Sequence, residues 1–238
     1  MNWLRTVLLI VVIVLGFRVD AWAGAPTDQV RSYTDRVQKV LEDPALTLLQ
    51  RREAVRVLAA EAFDTTETAQ RALGVHWQQR TPAEREQFVK LFANLLEQTY
   101  VSRIDEYGGE HLEYIDEQVD GDKATVRARV ITSKGTEVAV VSRVIQKGDR
   151  WLIYDILIEN LSLISNYRSQ FDRVIRTSSY GELVKRLQAR VIALNEKDAK
   201  TARDAAPAPA SRGCFRPSTL SRTDVHIPRR QTRSCPTR

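Results

Sequence analysis

Asp155 is the residue whose type and surroundings suggest chemistry most directly. It sits beside Tyr154 in the otherwise apolar run Trp151 to Ile158, and a carboxylate withdrawn from water can have its pKa raised into the range of a general base. An acid in such a place also serves as a buried carboxylate satisfied by an arginine or a backbone N–H. The second reading is favoured, because buried polar groups are as a rule hydrogen-bonded. Other reactive groups are few. His76 and His111 fall in different elements with no ligand spacing around them, and Cys214 and Cys235 lie near the C-terminus without a CxxC pattern, so neither pair makes a metal or redox site. There is no phosphate-binding glycine loop and no nucleophile elbow. Arg168 beside Tyr167 could hold a phosphate or lie solvated on a helix, and Trp77 could cap a ligand cavity or belong to a core. No enzyme, metal or cofactor is expected.

The elements that must position these residues are legible from periodicity. The turn Lys147-Gly148-Asp149 introduces a strand from Arg150 to Glu159 with Trp151, Ile153 and Leu157 on one face and Leu152, Tyr154, Ile156 and Ile158 on the other. A strand apolar on both faces belongs inside a sheet, under helices. Three strands precede it, His111 to Glu117, Ala124 to Thr132 and Thr136 to Gln146, joined by short glycine-bearing connections that predict an antiparallel meander. Val126 and Val130 alternate with Arg127 and Arg129, and the arginines mark the wet face. Val138, Val140 and Val144 share a face of the next strand.

Helical spacing flanks the strands. Val30, Tyr33 and Val37 recur in a first helix, Leu48 to Phe63 form a second, and Asp64 with Glu67 has the spacing of a capping box that opens a third, ending at Gly74. Thr81, Pro82 and Glu84 open the longest helix, whose apolar stripe runs Phe88, Leu91, Phe92, Leu95, Leu96, Tyr100 and Ile104. After a break at Asn160 to Ser162, Leu163, Ile164, Tyr167, Phe171, Val174 and Ile175 line a helix ending near Thr177. Ser179 and Glu182 cap a last one. Strands followed by helices in this order predict an α+β domain.

The two ends of the chain differ from its body. Arg5, the apolar run Val7 to Phe17 and Ala21-Trp22-Ala23 read as a signal peptide over residues 1–23, cleaved after Ala23. Eleven apolar residues span only about 16 Å as a helix, against a hydrocarbon layer of roughly 30 Å. Export to the periplasm follows. The net charge of +6 and the pI of 9.5 come from residues 196–238, read as a basic disordered tail that could touch anionic membrane weakly. The body, residues 24–195, is nearly neutral, so no nucleic-acid partner is expected.

Trp151, Tyr154-Asp155, Glu159, Ser162, the run Asn166 to Phe171, and Leu183 with Leu187 keep an order and spacing that resembles the MlaC-type (toluene-tolerance) periplasmic phospholipid-binding proteins. Leu73-Gly74, Trp77 and Thr81-Pro82 extend the resemblance over Leu73 to Leu194; Ser178-Ser179 depart from it where glycine is usual. It implies a helical layer packed on a curved four-stranded antiparallel sheet, a nuclear-transport-factor-like cone enclosing an apolar pocket. It further implies a carrier that holds phospholipid acyl chains and shuttles lipid between an inner-membrane ABC transporter complex and an outer-membrane lipoprotein/porin complex.

On that reading the lining comes from Trp77, from Phe88, Phe92, Leu95, Leu96 and Tyr100 of the long helix, and from Phe171 and Ile175. The strands add Val126, Val130, Val138, Val140, Val144, Ile156 and Ile158. A sixteen-carbon chain left in water would cost on the order of 12 kcal/mol, at about 0.8 kcal/mol per CH2, so such a pocket must be deep and dry. Three other readings remain at this level: an exported hopanoid-associated lipid-binding protein, a small-ligand enzyme on a similar cone with Asp155 as base, and an interaction protein with no ligand whose stripes fill a solid core.

Overall fold

Local hydrogen bonds start the helices where side-chain spacing places them. The structure, a computed structural model, describes residues 25–204; the expected signal peptide and the part of the tail beyond Asp204 lie outside those residues. Helix α1 (Pro26–Glu42) begins with proline in its first turn. Helix α2 (Leu48–Ala62) begins with a reciprocal capping box between Thr47 and Gln50. The Asp64 carboxylate accepts the Glu67 N–H at 2.8 Å and starts α3 (Thr65–Leu73), which ends at Gly74. There φ is +56°, and a Cβ would stand 2.8 Å from Arg168 Nε, so glycine is needed for both conformation and space.

A 3-10 turn (Gly74–Gln79) leads to α4 (Pro82–Tyr100). Here Glu84 N–H donates to Thr81 Oγ1 at 3.3 Å while Thr81 N–H donates back to Glu84 Oε2 at 2.8 Å. Beyond the sheet, α5 (Leu163–Thr177) is capped by Ser162, and Ser179 Oγ accepts the Glu182 N–H at the start of α6 (Tyr180–Asp204). Helix α6 runs past Asn195 into a stretch expected to be disordered. Glu196 to Asp204 mixes alanine with lysine and glutamate, which favour helix even without an apolar stripe.

The sheet contains β1 (His111–Asp120), β2 (Lys123–Ile131), β3 (Glu137–Lys147), β4 (Arg150–Ile158) and a two-residue β5 (Leu161–Ser162), antiparallel in that order. Five strands replace the expected four. The fifth occupies the supposed break, because Glu159 (φ 49°) and Asn160 (φ 63°) are both left-handed and form a two-residue hairpin turn of the kind usually marked by Asn-Gly. A second correction concerns the faces of β4. Arg143 pairs with Asp155 but Val144 pairs with Ile153, so Tyr154 is an extra, bulged residue. Past it the alternation inverts: Ile156 and Ile158 join Trp151 and Ile153, and Leu157 joins Leu152 and Asp155.

The outer edge of β4 is closed at both ends. Near its start Asp64 N–H donates to Ile153 O at 2.9 Å, with Phe63 bridging Ile153 in parallel, and β5 covers the other end.

Two apolar cores result. One is wholly helical, with Leu73, Trp77, Phe88, Phe92, Leu95, Ile164, Phe171, Tyr180, Leu183 and Leu187 among its members. Phe88 and Phe92 each meet Phe171 edge to face, at 5.8 Å and 5.3 Å, a favoured aromatic geometry. The other lies between α1, the end of α2 and one face of the sheet, and holds Val30, Tyr33, Ala62, Ala124, Val126, Val144, Trp151 and Ile153. Each large side chain so enclosed contributes roughly 1.5–3 kcal/mol by burial. The opposite face of β2 carries Arg127 and Arg129, paired with Asp116 and Glu137, as the alternation predicts.

Candidate functional site

Directly opposed residues of antiparallel strands share a face, so register alone assembles an apolar surface. One rung crosses all five strands: Tyr114, Ala128, Val140, Ile158, Leu161. Beside it run Leu112, Val130 and Val138, and on the other side Val126, Ser142 and Ile156. Where α1 and α2 cover this face, Val126 and Val144 are fully buried. Farther along the cover thins. Val130, Val138 and Val140 are half-buried, Ile158 is 53% exposed and Leu161 78%, and among the described residues none of these five belongs to either core.

The long helix α4 turns toward other helices. Its principal packing partners are α3 and α6 and the 3-10 turn that follows it, with ring contacts to Tyr167 and Phe171 of α5. Its C-terminal Tyr100 is 44% exposed and hydrogen-bonds Tyr167. Burial, and next the Tyr100 hydroxyl, push the Tyr167 phenol up to about 12. That hydroxyl stays neutral at any physiological pH, a polar handle at the border of an apolar region.

The expected lining residues therefore separate. Phe88, Phe92, Leu95, Phe171 and Trp77 are enclosed in the helical core, with Leu96 and Ile175 at its margin. Val126 and Val144 belong to the second core, with Ile156 at its margin. Tyr100 stands half-exposed beside Tyr167 at the end of α4, while Val130, Val138, Val140 and Ile158 line the incompletely covered region. Leu112 and Leu161 join them and were not anticipated. Leu161 was hidden by a turn without glycine, and Leu112 by a weak first strand.

Asp155 projects from the opposite face of β4. Only 4% exposed, it accepts hydrogen bonds from Ser162 Oγ at 2.7 Å, Ile164 N–H at 3.1 Å and Arg143 Nη1 at 3.3 Å. Those donors occupy the carboxylate, which matches the structural reading of this residue. His76 Nε2 lies 2.9 Å from Asp172 Oδ1. This contact, then Arg176, holds the Asp172 carboxyl below its usual range. Arg168 is exposed and lies along Gly74. No cluster of three metal-ligating side chains occurs among the described residues. A cavity of about 380 Å³ between α2, the end of α4 and α6 is lined by Arg52, Glu53, Arg56, Glu97 and Asp198 among others. Arg56 bridges Glu53 and Glu97 across it, so it is a charged crevice and includes none of the expected lining residues.

Known proteins bear directly on this geometry. Residues 31–189, more than half of the chain, match the family described as MlaC protein. The chain belongs to the MlaC family. It is 21% identical over 123 residues to the intermembrane phospholipid transport system binding protein MlaC of Haemophilus influenzae, across 50% of this chain and 58% of that protein. The match thus spans a little over half the length of that curated relative. A solved structure, the phospholipid-binding protein of Ralstonia solanacearum in complex with a phospholipid, is 29% identical, with a TM-score of 0.63 over 71% of this chain and 97% of that one. The α+β architecture expected from the resemblance is the one found, with one more strand.

Proposed function

We propose that this MlaC-family chain carries phospholipid, sheltering acyl chains against the half-covered end of the sheet while the head group faces water. The observation that supports this most strongly is the rung from Ala128 through Val140 and Ile158 to Leu161, an apolar surface that the protein's own side chains leave partly bare. Contiguous exposed apolar surface on a folded protein usually marks a binding site. A relative with 97% of its length aligned binds a phospholipid, which supports this kind of guest.

Few polar side chains face that rung, so discrimination among head groups is weak. With the Asp155 carboxylate already engaged by three donors, the chain acts as a carrier and not as an enzyme. Exchange with membrane complexes of an ABC-type lipid transport system, in the periplasm, follows from the family. Protein purified without detergent and extracted with organic solvent is expected to yield about one phospholipid per chain by mass spectrometry, because release returns acyl chains to water at a cost of about 0.8 kcal/mol per CH2. Extracts without stoichiometric lipid would overturn the proposal, and a hopanoid in place of phospholipid would redirect it.

A further inference from the structure

Asp155 lies behind the apolar rung and takes no part in lining it, yet its hydrogen bonds come from three elements next to the outer end of that rung. Arg143 belongs to β3, Ser162 to β5 and Ile164 to the first turn of α5. Ser162 Oγ, while donating to Asp155, also accepts the Ser165 N–H at 2.9 Å and so caps α5. The turn between β4 and β5 is anchored separately. Glu159 N–H donates to Ala139 O at 2.9 Å and its carboxylate accepts the Ala139 N–H at 2.7 Å, holding a non-glycine residue in the left-handed region where it would otherwise be disfavoured.

What this bracket fixes is the rim of the proposed lipid site. Ile158 and Leu161, paired across the turn, end the apolar rung. A displacement of β5 or of the first turn of α5 would shift Ile158 and Leu161 at the end of the rung. A buried carboxylate bonded to all of these pieces resists that displacement, because the carboxylate itself, 4% exposed, would lose charge-assisted donors with little water to replace them.

We infer that Asp155 is a positioning residue for lipid retention: from the reverse side of the sheet it locks the β4–β5 hairpin and the start of α5, and thereby sets how readily the mouth opens. The inference rests on the carrier reading above.

The test uses the full-length protein loaded with a fluorescently labelled phosphatidylcholine. It follows transfer to phosphatidylcholine vesicles, with melting temperature measured alongside. Asp155→Asn is expected to release lipid about tenfold faster, the change appearing in the off-rate. Asp64→Ala, which removes the side-chain cap of α3 far along β4 from the mouth, supplies a destabilised control and is expected to release at the wild-type rate. Ser162→Ala should release faster than wild type, and Ser162→Thr, which keeps the hydroxyl, should restore retention.

Equal acceleration by Asp64→Ala at a matched loss of melting temperature would reduce Asp155 to a general stabilising residue and overturn the inference. Unchanged release in Asp155→Asn would do the same. If Asp155→Asn does not fold, the Ser162 pair decides, and identical release by its Ala and Thr variants would be fatal to the idea. Wild-type protein that takes up no lipid sinks the carrier reading itself, and this inference with it. Wild type that loads normally while the variants fail to differ sinks only the inference.

Discussion

Phe88, Phe92 and Phe171 in the helical core keep at most 4% of their surface, whereas Ile158 and Leu161 at the end of the sheet keep 53% and 78%. The residue types are equally apolar, and the difference lies in what surrounds them. In the helical core Phe88, Phe92 and Phe171 face one another and their neighbours Tyr167 and Tyr180, so their apolar surface is spent on stability. On the sheet, α1 and the end of α2 cover only part of one face, and the rest of that face is apolar and, among the described residues, incompletely covered. Apolar character therefore predicts burial only where a neighbouring element is there to meet it. On the proposed carrier reading, the remaining surface is where a guest would lie.

That contrast can be broken or sharpened by substitution. Phe92→Ala should have the largest effect on stability, a loss of about 3–5 kcal/mol as a cavity opens among Phe88, Tyr167 and Phe171, read from chemical denaturation. Thr81→Ala, removing the cap of α4, should cost about 1 kcal/mol, again at the denaturation midpoint. Ile158→Asp should change stability by no more than about 0.5 kcal/mol, as for other exposed sites, while the lipid recovered per chain by mass spectrometry falls several-fold. A stability loss like that of Phe92→Ala would erase the distinction between the two regions.

The smallest effect is confined to alkaline solution. The Tyr167 phenol, raised from 10.0 to about 12, contributes stability that is fully present below its unfolded value and lost as pH rises toward about 12. Tyrosinate absorbance should show a late-titrating component that Tyr167→Phe removes; if that component persists in the variant, it belongs to another ring.

Most of the elements could be read in the chain because their signals are local. Thr81, Pro82 and Glu84 specify a helix start by bonds among four consecutive residues, and Gly121 and Gly148 announce hairpins through their positive φ. The features that remained hidden are set by tertiary context. Nothing in the composition of Tyr154 distinguishes a bulged residue from a paired one, yet that single insertion decides whether Ile156 and Ile158 or Leu157 share the face of Val140.

Likewise, Glu159-Asn160 makes a tight turn without glycine because Ala139 on the neighbouring strand stabilises it. The candidate site was legible as a set of apolar stripes. Which stripes close against each other depends on helices distant in sequence, and the aromatic residues that looked most like a lining, Phe88 and Phe92, are the ones most fully enclosed.

Closure of β4 by Phe63, Asp64 and β5 leaves β1 as the open margin of the sheet among the described residues. Strands in that position invite copies of the same chain to add on and grow into fibres. Here Glu113 and Asp120 are exposed along β1, so two molecules meeting margin to margin would bring like charges together. Salt weakens such repulsion, and concentrated protein at high ionic strength is where polymerisation through β1 would first appear.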